Sequence, residues 1–262
     1  EGLAPGGIAV VSAADAHADI VRQGAEKAGA VVRTFGHDAG CDARLLDFVA
    51  DSEGATVTAE LEGRRIEYRL AQSGVHWGLN SLCVILMLKA LDVSLDTALQ
   101  ALAGFQPLAG RGQMKTISFS GGAFTLIDES YNANPLSMKA GFVSLGAKPV
   151  GPGGRRVVVL SDMLELGEHS RALHEGLAPA IAAAGLDLVH TAGPQMRLLH
   201  EALPPALRGQ WRETAAELAA EAAGLVQPGD VVMVKGSNGS KASLVAAALT
   251  GLHDAPRGSI EK

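Results

Sequence analysis

Aromatic side chains are scarce in this 262-residue chain: two Trp, two Tyr and six Phe. Cations are also few. Twenty-two Lys and Arg face 28 acids, for a net charge of −6, and they form no block. A nucleic-acid face needs clustered cations and stacking rings, so that class of partner is excluded. No apolar run reaches the length of a membrane span. The longest, 79–91, is interrupted by Asn80, Ser81 and Lys89 and reads as a buried helix. The opening Glu1-Gly-Leu-Ala-Pro-Gly-Gly7 lacks the charged-then-apolar pattern of a secretory signal. The only cysteines, Cys41 and Cys83, are far apart and in no metal-ligating spacing. They read as reduced thiols of a cytoplasmic protein.

Familiar catalytic signatures are missing too. There is no Gly-x-Ser-x-Gly, Cys-x-x-Cys or His-Glu-x-x-His, so no short motif carries nucleophilic or metal catalysis by itself. Gly151-Pro-Gly-Gly154 precedes an expected strand and does not follow one, which excludes a dinucleotide cradle. A Walker loop is absent. Its nearest approach, Gly236-Ser-Asn-Gly-Ser-Lys-Ala-Ser243, has no second Gly just before Lys241.

What is present is an apolar content of 47%, enough for a sizeable core, and a repeated strand–helix rhythm. Strands are expected at 8–11 and 31–35, with a helix over 16–28 capped by Asp15, which makes a βαβ unit. Alternation at 55–61 and 65–70, around Glu62-Gly63-Arg64, is a hairpin signal. Helices follow at 76–91 and 94–102. The Gly/Pro-rich stretch 104–112 places a domain boundary, with 1–104 on one side, 105–112 as a hinge and 113–253 beyond it. After the hinge, strands are expected at 114–119, 123–127, 156–160, 186–190 and 231–234. Helices are expected from Pro135 and over 170–184, 195–203, 215–225 and 240–249. Arg156-Val-Val-Val-Leu160 is apolar on both sides of the pleat, as in a parallel sheet covered on both faces. This half is a doubly wound α/β domain. The polar tail 254–262 is expected to fray.

Polar residues gather where these strands end. In Thr125-Leu-Ile-Asp-Glu-Ser-Tyr-Asn-Ala-Asn-Pro135, two carboxylates, a phenol and two amides lie between a strand and a helix start. Open α/β sheets bind ligands at such ends. The same residues also fit an ordinary junction with Asn134 as N-cap. Asp162 and Glu165 follow another strand and suit either an amine or metal, or capping of the next helix. The helix start after Val234 could hold an anion or simply be capped. His169 and His174, five apart, lie on different helical faces and read as surface histidines, not metal ligands. His76 and Asn80 share a helical face and could bond a base or ribose, or cap. Arg111 could reach a phosphate or be merely solvated.

Together these residues resemble the Mur ligase family. The match rests on Ile127-Asp-Glu-Ser-Tyr-Asn-Ala-Asn-Pro135 with Ser137-Met138, on Leu160-Ser-Asp-Met-Leu-Glu-Leu-Gly167 with His174, and on Val234-Lys-Gly-Ser237. Gly74-Val-His-Trp-Gly-Leu-Asn80 and Gly110-Arg111 match more loosely. The Tyr-Asn-Ala-Asn-Pro block is typical of the branch that adds D-alanyl-D-alanine to UDP-N-acetylmuramoyl-tripeptide. The resemblance implies the second half of a central ATP-binding domain followed by a Rossmann-like ligase domain. The phosphate loop and the magnesium ligands would lie upstream, so 1–262 alone would be inactive. It implies a cytoplasmic monomer that uses ATP and Mg2+ and forms an amide through an acyl phosphate. His76, Asn80, Arg111, Asp128, Glu129, Tyr131, Asn132 and Asn134 would face ATP. Asp162, Glu165, His174, Lys235, Gly236 and Ser237 would face the incoming dipeptide or the closure surface. Trp77 stands where the family has Asn, and Ser161 where it has Gly. The alternatives are a folate polyglutamate or cyanophycin ligase of the same superfamily, or a non-catalytic nucleotide-binding module.

Overall fold

Two compact units, Glu1–Gln106 and Pro107–Lys262, make up the chain. The computed structural model describes residues 3–51, 54–72, 74–106 and 109–254. Pro107 and Leu108 of the expected hinge, and the expected tail from 255, lie outside the described residues.

Unit 1 runs β1 (Ile8–Ser12), α1 (Ala18–Lys27), β2 (Val31–Gly36), β3 (Ala43–Ala50), β4 (Ala55–Leu61), β5 (Arg64–Leu70), α2 (Val75–Ala90) and α3 (Leu95–Gly104). The five strands form one sheet in sequence order. β1, β2 and β3 are parallel, and β3, β4 and β5 antiparallel. The βαβ unit and the hairpin stand as expected. The hairpin turn is Glu62-Gly63, both with positive φ, the primed-turn geometry that matches strand twist. Alternate residues Val57, Ala59, Leu61, Ile66, Tyr68 and Leu70 pack with Leu82, Ile85 and Leu86 of α2. Asp15 does not sit at the cap of α1. That place is taken by His17, whose N–H donates to Asp15 Oδ1. β3 was not foreseen: its pairing register shifts between Leu45 and Asp47, which breaks the two-residue alternation a sequence reading relies on.

Unit 2 runs β6 (Gln113–Phe119), β7 (Gly122–Glu129), α4 (Pro135–Gly146), β8 (Arg156–Ser161), α5 (Ser170–Glu175), α6 (Ala178–Ala183), β9 (Leu188–Ala192), α7 (Pro194–Ala202), β10 (Arg208–Arg212), α8 (Ala215–Ala220), α9 (Ala222–Leu225), β11 (Val231–Lys235) and α10 (Ala242–Gly251). The sheet order is β10-β9-β8-β11-β7-β6, parallel except for β6. Val158 and Leu160 pack with α4, α6 and α7 on one face. Val157 and Val159 pack with α8 and α10 on the other. The apolar run 156–160 is therefore covered on both faces, as its composition requires. The expected helix 170–184 is broken at Gly176-Leu177, and Pro179 in the first turn of α6 supplies no amide to a continuous helix. The expected helix 215–225 likewise divides at Glu221. β9 begins two residues later than expected. β10, Arg-Gly-Gln-Trp-Arg, is a polar edge strand without an apolar signature.

Candidate functional site at the carboxyl edge of the second sheet

β8, β11 and β7 are neighbours and parallel, so their carboxyl ends open on the same edge of the sheet. That sheet order brings three sequence-distant segments together: 128–134, 161–167 and 235–241. Lys235, the last residue of β11, is almost wholly buried. Its Nζ donates to Glu129 Oε2 at 3.2 Å and to the Asn132 carbonyl at 3.1 Å. Ser237 joins all three segments. Its Oγ accepts the Leu164 N–H at 3.0 Å and donates to the Ala133 carbonyl at 3.3 Å. Its own N–H donates to the Asp162 carbonyl. Gly236 is required by space, because a Cβ there would lie 1.9 Å from Ser161 Oγ. Ser161 Oγ meets Ser240 Oγ at 2.6 Å, and Ser240 Oγ donates a hydrogen bond to the Ser237 carbonyl. The bonding of Ser161 and Ser240 escaped the sequence reading. Its one trace there is Ser161 standing in place of glycine.

The block after β7 is both a cap and an edge. Asn134 caps α4, accepting the Ser137 N–H at 2.8 Å in a full capping box, with Pro135 in the first turn. Asp128 Oδ1 accepts the Ser130 N–H, and Asn132 Oδ1 the Ala133 N–H. Tyr131 is 46% exposed, and the Arg111 guanidinium lies 4.0 Å from its ring centre. The Tyr131 N–H donates to the Gly110 carbonyl, which keeps the two side chains in register.

Asp162 caps a helix, but not the next one in sequence. It is buried and accepts the Gln195 and Met196 amides at the start of α7. Burial pushes its carboxyl above the ordinary value, with the two α7 amides and His174 pulling partly back. His174 is not a surface residue. It is wholly buried, Nε2 accepting the Met163 N–H at 3.0 Å and Nδ1 lying 2.7 Å from the Ser170 carbonyl. His169 is exposed, as expected. Glu165 is exposed, with φ of +62°. In unit 1, His76 and Asn80 are both exposed on the first turns of α2. Trp77 packs against the unit 1 core, its ring 5.5 Å from that of His76. Among the described residues no group of three His, Cys, Asp or Glu could hold a metal ion. No helix among them is long and apolar enough to cross a membrane.

Known proteins are similar to this chain in sequence and fold. The family profile described as "Mur ligase, glutamate ligase domain" matches residues 110–238. The UDP-N-acetylmuramoyl-tripeptide–D-alanyl-D-alanine ligase of Rickettsia prowazekii (strain Madrid E) is 28% identical over 210 residues, 80% of this chain and 45% of that protein. The UDP-N-acetylmuramate–L-alanine ligase of Saccharopolyspora erythraea is 31% identical over 252 residues, 90% of this chain and 49% of that protein. The crystal structure of MurF from Acinetobacter baumannii is 25% identical with a TM-score of 0.80, over 94% of this chain and 52% of that one. A folylpolyglutamate synthase structure from Mycobacterium tuberculosis, 17% identical with a TM-score of 0.66 over 93% of this chain and 55% of that one, shares the fold alone. The chain spans about half the length of the relatives it matches. Residues 110–238 are a Mur ligase glutamate ligase domain, and most of the chain is similar to Mur ligases.

Proposed function

We propose that this chain forms part of an ATP-dependent amide ligase that joins D-alanyl-D-alanine to UDP-N-acetylmuramoyl-tripeptide in peptidoglycan synthesis. The observation that carries the reading is the packing of the Tyr131-Asn-Ala-Asn-Pro135 block against the ends of β8 and β11 through Lys235 and Ser237. In this reading unit 1 is the C-terminal half of the central ATP-binding domain, 105–112 is the hinge and 113–253 the ligase domain. The ligase works as a cytoplasmic monomer without a nucleic-acid partner.

In the reaction the tripeptide carboxylate takes the γ-phosphoryl group of ATP, giving an acyl phosphate and ADP. The dipeptide amine attacks the acyl carbon, loses a proton, and phosphate leaves. Protein groups contribute by positioning and by balancing charge. Lys235 and Arg111 both stand at the sheet edge, and their surroundings separate their roles. Lys235 is committed to Glu129 and Asn132 and holds the loops in place. Arg111 is exposed with its guanidinium over the Tyr131 ring, which suits a phosphate oxygen. Asp128, Glu129, Asn132 and Asn134 shape the nucleotide side of this edge; within unit 1 the residues assigned to the nucleotide are His76 and Asn80. Gly236 and Ser237 fix the turn nearest the amino component, beside Asp162 and Glu165. Magnesium, when bound, neutralises the transferring phosphoryl group, and its ligands are assigned to none of the described residues.

A second reading follows from the L-alanine ligase relative, which aligns over the larger share of this chain. One experiment separates them. The ligase polypeptide carrying this chain is given ATP, Mg2+ and UDP-N-acetylmuramoyl-tripeptide with D-alanyl-D-alanine, or UDP-N-acetylmuramate with L-alanine. Product mass and phosphate release are measured. Ligated D-alanyl-D-alanine is expected, and 1–262 by itself, without a Walker loop, turns over neither pair. Product with L-alanine alone selects the second reading, and no product with either removes both. Arg111→Ala is expected to cut turnover about tenfold to a hundredfold, as for loss of one charge-stabilising donor, with the thermal midpoint unchanged.

A further inference from the structure

Three different elements hold the loop after β8, one residue at a time. The Asp162 carboxylate is bound to the α7 amides. The Met163 N–H is bound to His174 Nε2 at 3.0 Å, and the Leu164 N–H to Ser237 Oγ at 3.0 Å. The middle anchor is the unusual one, because it is a wholly buried imidazole. Its Nδ1 lies 2.7 Å from the Ser170 carbonyl, which can only accept. Nδ1 therefore carries the proton, and the bare Nε2 lone pair meets the Met163 amide. His174 reaches no solvent, so it touches no ligand. What it controls is the next two residues. Leu164 is 44% exposed, and Glu165, a residue with a Cβ, is held at φ +62°. Among the described residues the Glu165 carboxylate has no hydrogen-bond or ion-pair partner.

We propose that His174 is a positioning residue for the amino component. By holding Met163 it fixes the Leu164–Glu165 tip and presents the Glu165 carboxylate to the ammonium group of the incoming amine. The proposal rests on the ligase reading given above. It accounts for a chemical detail that core packing does not. An apolar side chain would fill the same space, but would leave the Met163 N–H buried and unpaired.

The test compares His174→Leu with His174→Gln, whose Oε1 can accept near the Nε2 position, in the ligase carrying this chain. Apparent KM values for D-alanyl-D-alanine and for ATP, the thermal midpoint and amide hydrogen exchange of Met163, Leu164 and Glu165 are measured. His174→Leu is expected to raise the dipeptide KM about tenfold, as for one lost buried hydrogen bond, with the ATP KM unchanged and exchange at 163–165 faster. His174→Gln restores both readouts. If neither KM moves, or both rise with a falling midpoint that Gln does not rescue, His174 is only a core residue and the proposal fails. If the wild-type ligase takes another amine, the functional reading is corrected and the same KM split is read on that amine. If it ligates no amine, both readings fall.

Discussion

Each unit buries an ionisable side chain, and these two groups respond at opposite ends of the pH scale. In unit 1 the Tyr68 phenol lies in the core, 2.6 Å from Ser81 Oγ, and burial pushes its pKa up to about 12. In unit 2 the His190 ring is buried, and desolvation is the main cause lowering its pKa to about 4. Its Nδ1 accepts the Gln210 N–H, a bond only the form with a bare Nδ1 can make. The sheets differ in the same spirit. Unit 2 covers its central strands on both faces, and on β9 it buries His190 Nε2 and Thr191 Oγ1 without a hydrogen-bond partner among the described residues. Unit 1 leaves Ile20, Val21, Met87 and Leu91 exposed and keeps its ion pairs near solvent.

The sharpest way to break this comparison is a pair of carboxylate deletions. Asp230, wholly buried in unit 2, accepts the Arg155 amide and guanidinium and the Gln227 amide. Asp230→Ala is expected to cost about 3–5 kcal/mol, the range for breaking a buried pair. In unit 1, Asp42 accepts from Arg33 and Thr34 while 23% exposed. Asp42→Ala is expected to cost about 1 kcal/mol. Denaturant midpoints with probes in each unit decide it, and equal losses would dissolve the contrast.

The pH dependence comes next in size. His190 has a folded pKa below its unfolded value, so the unfolded chain binds more protons and stability falls as pH drops. The window runs from about 6.5 to about 4, and the loss in unit 2 approaches about 3 kcal/mol. His190→Asn, which keeps an acceptor near Nδ1 but does not titrate there, is expected to flatten that limb. Tyr68 has a folded pKa above its unfolded value. Its contribution is complete below pH 10 and is lost between 10 and about 12, in unit 1. Thermal midpoints read separately for each unit across both windows measure these limbs.

The smallest effect is local. Asn134→Ala removes the capping box of α4 and is expected to cost about 1 kcal/mol of unit 2 stability, with unit 1 unaffected. Circular dichroism and the unit 2 midpoint check it. A larger loss would mean that Asn134 serves the loops at the sheet edge as well as the helix.

Legibility followed burial. β8 and β11 could be read because an unbroken apolar run of this length has one stable use, a strand covered on both faces. Asn134 as N-cap and Pro135 in the first turn could be read because capping is local chemistry. β10 was not legible, since an edge strand needs only one partner and carries little apolar pattern. β3 was hidden by its register shift. His174 was misplaced because the spacing between His169 and His174 gives their relative faces, and not which face meets the core. Asp162 was expected to serve an amine, a metal or the next helix. The helix it caps is α7, a partner more than thirty residues away, and not the next one in sequence.

The sequence by itself determined the alternation of strands and helices, the turn and cap chemistry, and the polar residues at the strand ends. Those are set by the period of apolar residues and by hydrogen bonds a few positions apart. Only the tertiary structure decided that β11 lies between β7 and β8. That order puts Lys235 beside Glu129, and Ser237 between Ala133 and Leu164. The physical reason is that strand order comes from packing helices on both faces of one sheet. The resulting contacts join residues about a hundred positions apart, which no local pattern encodes.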